Sequence, residues 1–370
     1  MEKNLVKLYI EPTSNCNFHC SMCFRHSWFD EEFCDIPYEL FQKGIDTMPK
    51  TVKTVFFGGM GEPLFHPDIV KMVDYAAIKA KVELLTNASL LTEEMSEELI
   101  KANLSMLWIS VDHISSSKGN KTGHHNSLVK LEAILQGFNQ KRQLHNRRLK
   151  LGLTFVAMKS NLHELNELAA FAYKHHINDI NISNSYTSDE ASEAETLFGN
   201  TLDNEVGADW QSPVKINIDL PYMDFSEPET CAILCRLASS PFFNTSISGT
   251  PLTRQTKYCR FIEEGISFIR SDGDISPCMA LLHNGYTSWK KDSRKVYHKS
   301  FGNIKDSNLT DVWNSQKYLA FRETVHKFDF SPCLHCGHCD YFSENVEDCF
   351  GNEQPTCGGC LWAEGLISCP

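Results

Sequence analysis

Three cysteines, Cys16, Cys20 and Cys23, fall within eight positions of the stretch EPTSNCNFHCSMCFRHSW. A closed metal site normally takes four protein ligands, so either a fourth lies elsewhere or one position is left open. Cys-x3-Cys-x2-Cys in a loop suits a cubane [4Fe–4S] cluster. Thiolates from a tight turn reach three irons and leave the fourth for a small molecule. His19 or His26 completing a Cys3His zinc site satisfies the spacing equally well.

A second signal stands some forty residues on, in GGMGEP (58–63). Gly58, Gly59 and Gly61 give a backbone that can approach a ligand closely and present N–H groups. Glu62, beside Pro63, offers a carboxylate for a cationic amine. Taken alone this is equally a glycine-rich turn with a surface glutamate. Beside the cysteines, it describes a site that holds an amino-acid-like group against an iron cluster.

The end of the chain is also cysteine-rich. Cys259 precedes Gly273 and Cys278, and Cys333, Cys336, Cys339, Cys349, Cys357 and Cys360 follow. Eight thiolates are enough for two more four-ligand centres. Spacing leaves iron–sulfur clusters and zinc sites open, since CLHCGHC (333–339) would suit a zinc knuckle. Of the rest, Cys34 reads as a structural thiol, Cys231 and Cys235 as core residues at helical spacing, and Cys369 as a spare ligand.

The elements that must position these groups alternate. KLYIEPT (7–13), TVFFGG (54–59), VELLTNA (82–88), LWISVD (107–112), LGLTFVAM (151–158) and INDINIS (177–183) read as strands. Helical patterns such as 66–81 and 91–104 lie between them, the second with Thr92 as N-cap. Strands alternating with helices imply a parallel sheet with right-handed crossovers. In such folds active groups gather at the carboxyl ends of the strands. The cysteine loop, GGMGEP, TNAS (86–89) and SVD (110–112) all fall at that rim. The alternation fades after about residue 185, although 214–225 reads as another strand and 265–279 as a hairpin on an Asp272-Gly273 turn. The expected division is 1–200, a linker at 201–255, and a cysteine-rich domain at 256–370.

Bulk properties set the class. The chain has 370 residues, 42% of them hydrophobic, and a formal charge of -12. It has room for one large domain and a smaller one. The acidity argues against a nucleic-acid groove, which needs clustered Lys and Arg. No apolar run is long enough to span a membrane, and MEKNLVKLYIEPTS is too charged for a signal peptide. Fifteen cysteines without an export signal suggest a cytoplasmic protein with thiolate-bound metal.

CNFHCSMC followed by GGMGEP resembles the radical S-adenosylmethionine (SAM) enzymes. The resemblance implies that Cys16, Cys20 and Cys23 hold a [4Fe–4S] cluster whose open iron chelates SAM. Reductive cleavage then yields a 5′-deoxyadenosyl radical. It places Gly58, Gly59, Gly61 and Glu62 at the SAM amino group, with Asn87, Ser110 and Asp112 near its methionine or ribose. Met22 stands where the family usually has an aromatic residue against adenine. The arginine many relatives carry after the fourth strand is missing from HISSSKGNKTGHHNSL (113–128), where His124 and His125 read as solvated loop residues. The fold implied is a partial (β/α)6 TIM-like barrel.

The tail, from Cys259 through Gly273 and Cys278 and across FGNIKDSNLTDVWNS (301–315), resembles the SPASM domain, which usually holds two auxiliary [4Fe–4S] clusters. CLHCGHC is tighter than usual. The ending DCFGNEQPTCGGCLWAEG (348–365) is similar to maturases associated with tungsten-cofactor oxidoreductases of the aldehyde ferredoxin oxidoreductase type. The resemblance implies an oxygen-sensitive, anaerobic enzyme acting on a protein or peptide, such as a tungsten oxidoreductase. Its electron donor would be a ferredoxin or flavodoxin. A peptide or sulfatase maturase is the alternative, and a redox or zinc scaffold without SAM chemistry is the rival from another class. No general acid or base stands out, Asp224, Asp274 and Tyr222 reading as turn and surface residues.

Overall fold

The computed structural model describes residues 3–114, 128–145, 148–199, 216–221, 223–224, 226–238, 243–248, 250–251, 258–335 and 339–370. His124, His125, Tyr222 and Cys336 therefore lie outside the described residues.

Six strands form where the apolar runs predict them. They are β1 (Lys7–Ile10), β2 (Thr54–Phe57), β3 (Lys81–Thr86), β4 (Met106–Val111), β5 (Lys150–Ala157) and β6 (Asp179–Asn184). They pair in parallel and in sequence order. The crossovers carry the helices Tyr38–Asp46, Ile69–Ala77, Glu93–Lys101, Leu128–Leu144 and Leu165–Lys174. Thr92 caps its helix as expected, its hydroxyl accepting from the Met95 amide at 3.1 Å.

Alternation along the strands separates two faces. Leu8, Ile10, Val55, Phe57, Leu84, Ile109 and Leu153 are buried in one core with Phe41, Ile45, Met72 and Val73 of the helices. The alternate residues Tyr9, Phe56, Leu85, Ser110, Thr154 and Ser183 line a cavity on the other face. The second face is where the sheet trades apolar for polar side chains, so it can receive a ligand.

The sheet continues past the six strands. Ile266–Ile269 runs parallel to β1, and Ile275–Ser276 returns antiparallel to it. The turn between them has Gly273 at φ +91°, as the Asp-Gly signal requires. All four residues of Ile266–Ile269 are buried, and Phe268 stacks on Tyr9 with centroids 4.5 Å apart. The cysteine-rich end of the chain thus contributes two strands to the same sheet. The strand expected within 214–225 is Ile216–Leu220, in a separate small sheet with Phe243–Ile247 and Thr250–Pro251. Of 185–207, residues 190–194 form a short helix.

One expectation is corrected here. Cys231 and Cys235 share the helix Pro228–Ala238, but Cys235 is exposed and Cys231 only half-buried. Leu234 is the buried residue of that stretch, so the apolar stripe runs beside the cysteines rather than through them. No helix among the described residues is long and apolar enough to cross a membrane.

Candidate active site

The loop after β1 folds tightly on itself. The Cys23 amide donates to the Cys20 carbonyl at 3.0 Å, and the Phe18 amide reaches Cys16 Sγ at 3.4 Å. Arg25 clamps the loop from beneath, donating to the Phe18 carbonyl at 2.8 Å. His26 is taken up by the Cys20 carbonyl at 3.0 Å, and His19 lies against it with ring centroids 5.9 Å apart. Burial pushes the Cys20 thiol up to about 12, and the neighbouring Cys23, Asp112 and Cys16 add repulsion. The Cys16 and Cys20 thiols, raised by burial, ionise readily only beside a cation, which fits an iron cluster.

The glycine loop packs directly against this turn. A Cβ on Gly61 would lie 2.1 Å from the Thr13 carbonyl oxygen, and one on Gly59 would lie 2.7 Å from the Glu11 side chain. Only glycine lets the loop after β2 come this close. Glu62 is 3% exposed, and its carboxylate accepts from the Leu64 amide at 3.0 Å, the Thr86 hydroxyl at 2.6 Å and the Asn87 amide at 2.7 Å. Burial raises its pKa against those donors. Glu62 therefore ties the ends of β2 and β3 together. Asn87, held by that tie, points its amide nitrogen at Cys16 Sγ, 3.9 Å away.

Of the residues singled out in sequence, Met22, Gly59 and Ser110 line the cavity of about 220 Å³ over the sheet. Cys16, Asn87 and Asp112 follow β1, β3 and β4 beside the cysteine loop, Asp112 close enough to perturb Cys20. Gly58, Gly61 and Glu62 shape the loop behind it. The structure brings the predicted set to one end of the sheet.

Sequence reasoning missed the charged layer below. His283 is 1% exposed, with Nε2 2.9 Å from Glu11 and Nδ1 2.9 Å from Glu31. Arg270 pairs with Glu31 at 2.9 Å and Asp272 at 3.0 Å, and Trp28 stacks on the imidazole at 4.0 Å. The same Glu11 accepts from the Met60 amide at 2.9 Å, so the network holds the glycine loop in place. Burial opposes charge on His283, but the Glu11 and Glu31 carboxylates outweigh it and raise its pKa to about 9. A pKa raised above the unfolded value gives stability that is complete below about 6.5 and lost as pH rises through about 9. The stability gap between wild type and His283→Gln should shrink by about 3 kcal/mol from pH 6 to pH 10. Anaerobic denaturant titrations read it, and a constant gap would exclude an imidazolium here.

Sequence reasoning also missed residues 366–370. The Asn184 amide nitrogen donates to the Leu366 carbonyl at 2.7 Å, and the Ser368 amide to Ser183 Oγ at 3.1 Å. At the far end Tyr9 and Lys7 bond the Pro370 carbonyl. The segment crosses the concave face from β6 to β1. Cys369, read as a spare ligand, accepts from Trp362 Nε1 at 3.3 Å and lines the cavity. Cys34 meets Ser271 Oγ at 3.3 Å, where it packs without joining the loop thiols.

Four of the eight tail cysteines, Cys259, Cys278, Cys357 and Cys360, line a second cavity of about 60 Å³. Burial raises all four, Cys259 to about 12, and their mutual repulsion adds to this for Cys259, Cys278 and Cys357. They stand around a space, and among the described residues no three His, Cys, Asp or Glu groups converge as ligands of one ion do. Four buried thiols around one space suit a four-thiolate metal centre, zinc or iron–sulfur. Cys333 and Cys349 meet elsewhere, their thiols 3.7 and 3.1 Å from Ser331 Oγ, while Cys339 is exposed. Tyr186 and Trp362 belong to the walls of both cavities.

Comparison with known proteins agrees with this geometry. Residues 10–172 match the radical SAM superfamily, and residues 259–340 match SPASM, an iron-sulfur cluster-binding domain. A tungsten-containing aldehyde ferredoxin oxidoreductase cofactor-modifying protein of Pyrococcus furiosus is 28% identical over 98% of this chain and 96% of its own. An AdoMet-dependent heme synthase of Methanosarcina barkeri is 23% identical over 90% of this chain and 87% of its own. Among solved structures, Streptococcus suis SuiB bound to S-adenosylmethionine covers 90% of this chain and 71% of its own. Its TM-score is 0.57 at 18% identity. Native anSMEcpe with bound AdoMet and the Cp18Cys peptide covers 97% and 95%, with a TM-score of 0.54 at 14% identity.

Proposed function

Because the chain is a radical SAM protein with a C-terminal SPASM domain, we propose that it cleaves SAM reductively to mature a tungsten-cofactor oxidoreductase. Bound there, a [4Fe–4S] cluster with SAM would supply the low-potential electron for reductive cleavage of SAM and, through it, hydrogen abstraction from the substrate. Cys16, Cys20 and Cys23 hold that cluster, and Cys259, Cys278, Cys357 and Cys360 hold one of two auxiliary clusters. Cys333, Cys339 and Cys349 belong to the other, with Cys336 as the remaining candidate.

The observation that carries the reading is the convergence of the cysteine loop and the glycine loop on one cavity, with Asn87 bonded to the cysteine loop. Gly58, Gly59 and Gly61 present the backbone to the SAM amino group, while Glu62 fixes the rim through its three donors. Met22 covers the adenine with its thioether, and Ser110 and Asp112 face the ribose and methionine. The division at 1–200, 201–255 and 256–370 separates catalytic from auxiliary functions, although both contribute to one sheet. The electron comes from a low-potential ferredoxin or flavodoxin in an anaerobic cytoplasm.

The tungsten target rests on the Pyrococcus furiosus relative, a cofactor-modifying protein. Reconstituted protein given SAM and reductant should release 5′-deoxyadenosine. Co-production with a tungsten oxidoreductase should change the mass of that enzyme's extracted cofactor. An unchanged cofactor mass would sink the target. A mass change in a co-produced short peptide instead would support the peptide-maturase alternative.

A further inference from the structure

The loop Cys357-Gly-Gly-Cys360 has two glycines that its neighbours leave no room to replace. A Cβ on Gly358 would lie 1.7 Å from the Ser331 carbonyl oxygen. A Cβ on Gly359 would lie 1.3 Å from Arg294 Nη1, so the guanidinium occupies the space a side chain would take. One face of the loop therefore meets Ser331, whose hydroxyl gathers Cys333 and Cys349. The other opens on the cavity that Arg294 shares with Cys259, Cys278, Cys357 and Cys360. The loop is a wall between two groups of thiols, and Arg294 is set into it.

The surroundings of Arg294 are unusual for a cation. It is 2% exposed. Its Nη2 donates to Thr356 Oγ1 at 2.7 Å, and Phe342 lies 5.6 Å from its central carbon. Nε is buried without a hydrogen-bond partner. Among the described residues no carboxylate pairs with it, and its nearest ionisable neighbours include Cys333, Cys357 and Cys360. A buried cation without a carboxylate needs negative charge from somewhere else. Thiolate-bound iron would supply it on both sides.

We propose that Arg294 is a potential-tuning residue shared by the two auxiliary centres. The inference rests on the reading that these thiols hold iron–sulfur clusters. A [4Fe–4S] centre on four thiolates goes from net charge –2 to –3 when it takes up one electron. A guanidinium in a dry site favours the more negative state, so it raises the reduction potential. Standing between the centres, it acts on the potentials of both. The effect is local and leaves the SAM-binding cluster untouched.

The test is an anaerobic redox titration of the full chain, monitored by electron paramagnetic resonance, with dithionite or titanium citrate as reductant. Arg294→Met should make reduction of at least one auxiliary centre tenfold harder at a fixed potential, a 59 mV shift for one electron. Arg294→Lys should recover most of it, and the SAM-binding cluster should titrate as in wild type. If Arg294→Met does not fold with full iron, Thr356→Val loosens the guanidinium and should shift the same signal the same way. Full iron with unchanged auxiliary potentials in the variant overturns the role of Arg294. Wild type holding only about four irons overturns the cluster reading instead, and the inference with it.

Discussion

Cys20→Ala is expected to abolish SAM cleavage, lowering 5′-deoxyadenosine formation on the order of a thousandfold or more. Its thiol sits between Cys16 and Cys23 in a loop closed by the Cys23 amide and clamped by Arg25. Among the described residues His26 is already committed to the Cys20 carbonyl and Cys34 to Ser271, so neither is poised to replace it. Reconstituted under strict anaerobiosis, the variant should lose about four irons and keep the auxiliary iron. The measurement is iron and sulfide per chain alongside deoxyadenosine release. Wild-type turnover in this variant would remove Cys20 from the site.

Cys278→Ser should cost more in stability than any surface change. Cys278 is 8% exposed and lies two residues past the strand Ile275–Ser276, which is paired into the main sheet. Its core includes Tyr9, Phe56 and Phe268, so the thiol and the floor of the catalytic cavity share one packed layer. Thiolate sites can contribute on the order of 10 kcal/mol to folding. On the proposed four-thiolate site, removing Cys278 should therefore lower the anaerobic unfolding midpoint by roughly 10 °C or more. SAM cleavage should fall as well, although the cysteine loop is intact. An unchanged midpoint with full iron would show that Cys278 is only a core thiol.

Much of the catalytic end was legible because its signals are local. A parallel strand announces itself in four to eight apolar residues, and the motifs sit immediately after such runs. The cysteine loop, GGMGEP, TNAS and SVD share a rim for that reason. The charged layer was not legible, since Glu11 and His283 meet across most of the chain. Each looks alone like an ordinary polar residue beside a strand.

Arg294 was hidden differently, within the charged run KKDSRK. Its burial comes from the glycines at 358 and 359, over sixty residues away. The partition of the tail cysteines was illegible for the same reason. Short 3-10 turns at Cys333–His335 and Cys357–Gly359 carry no periodicity to read. The error at Cys231 and Cys235 came from treating helical spacing as burial, when Leu234 between them takes the inner face.

The strand Ile266–Ile269 beside β1 has a bearing on how the chain is made. Ile266 leaves the ribosome about 260 residues after Lys7, its partner in the sheet. At roughly 5–20 residues per second, β1 waits on the order of 10 to 50 seconds with one side unpaired. The strand reads Lys-Leu-Tyr-Ile, and such an apolar edge invites pairing with other nascent chains. Lys7, its only charged residue, is the type of side chain that discourages such pairing. Later the same side chain is held against Glu83 at 3.1 Å.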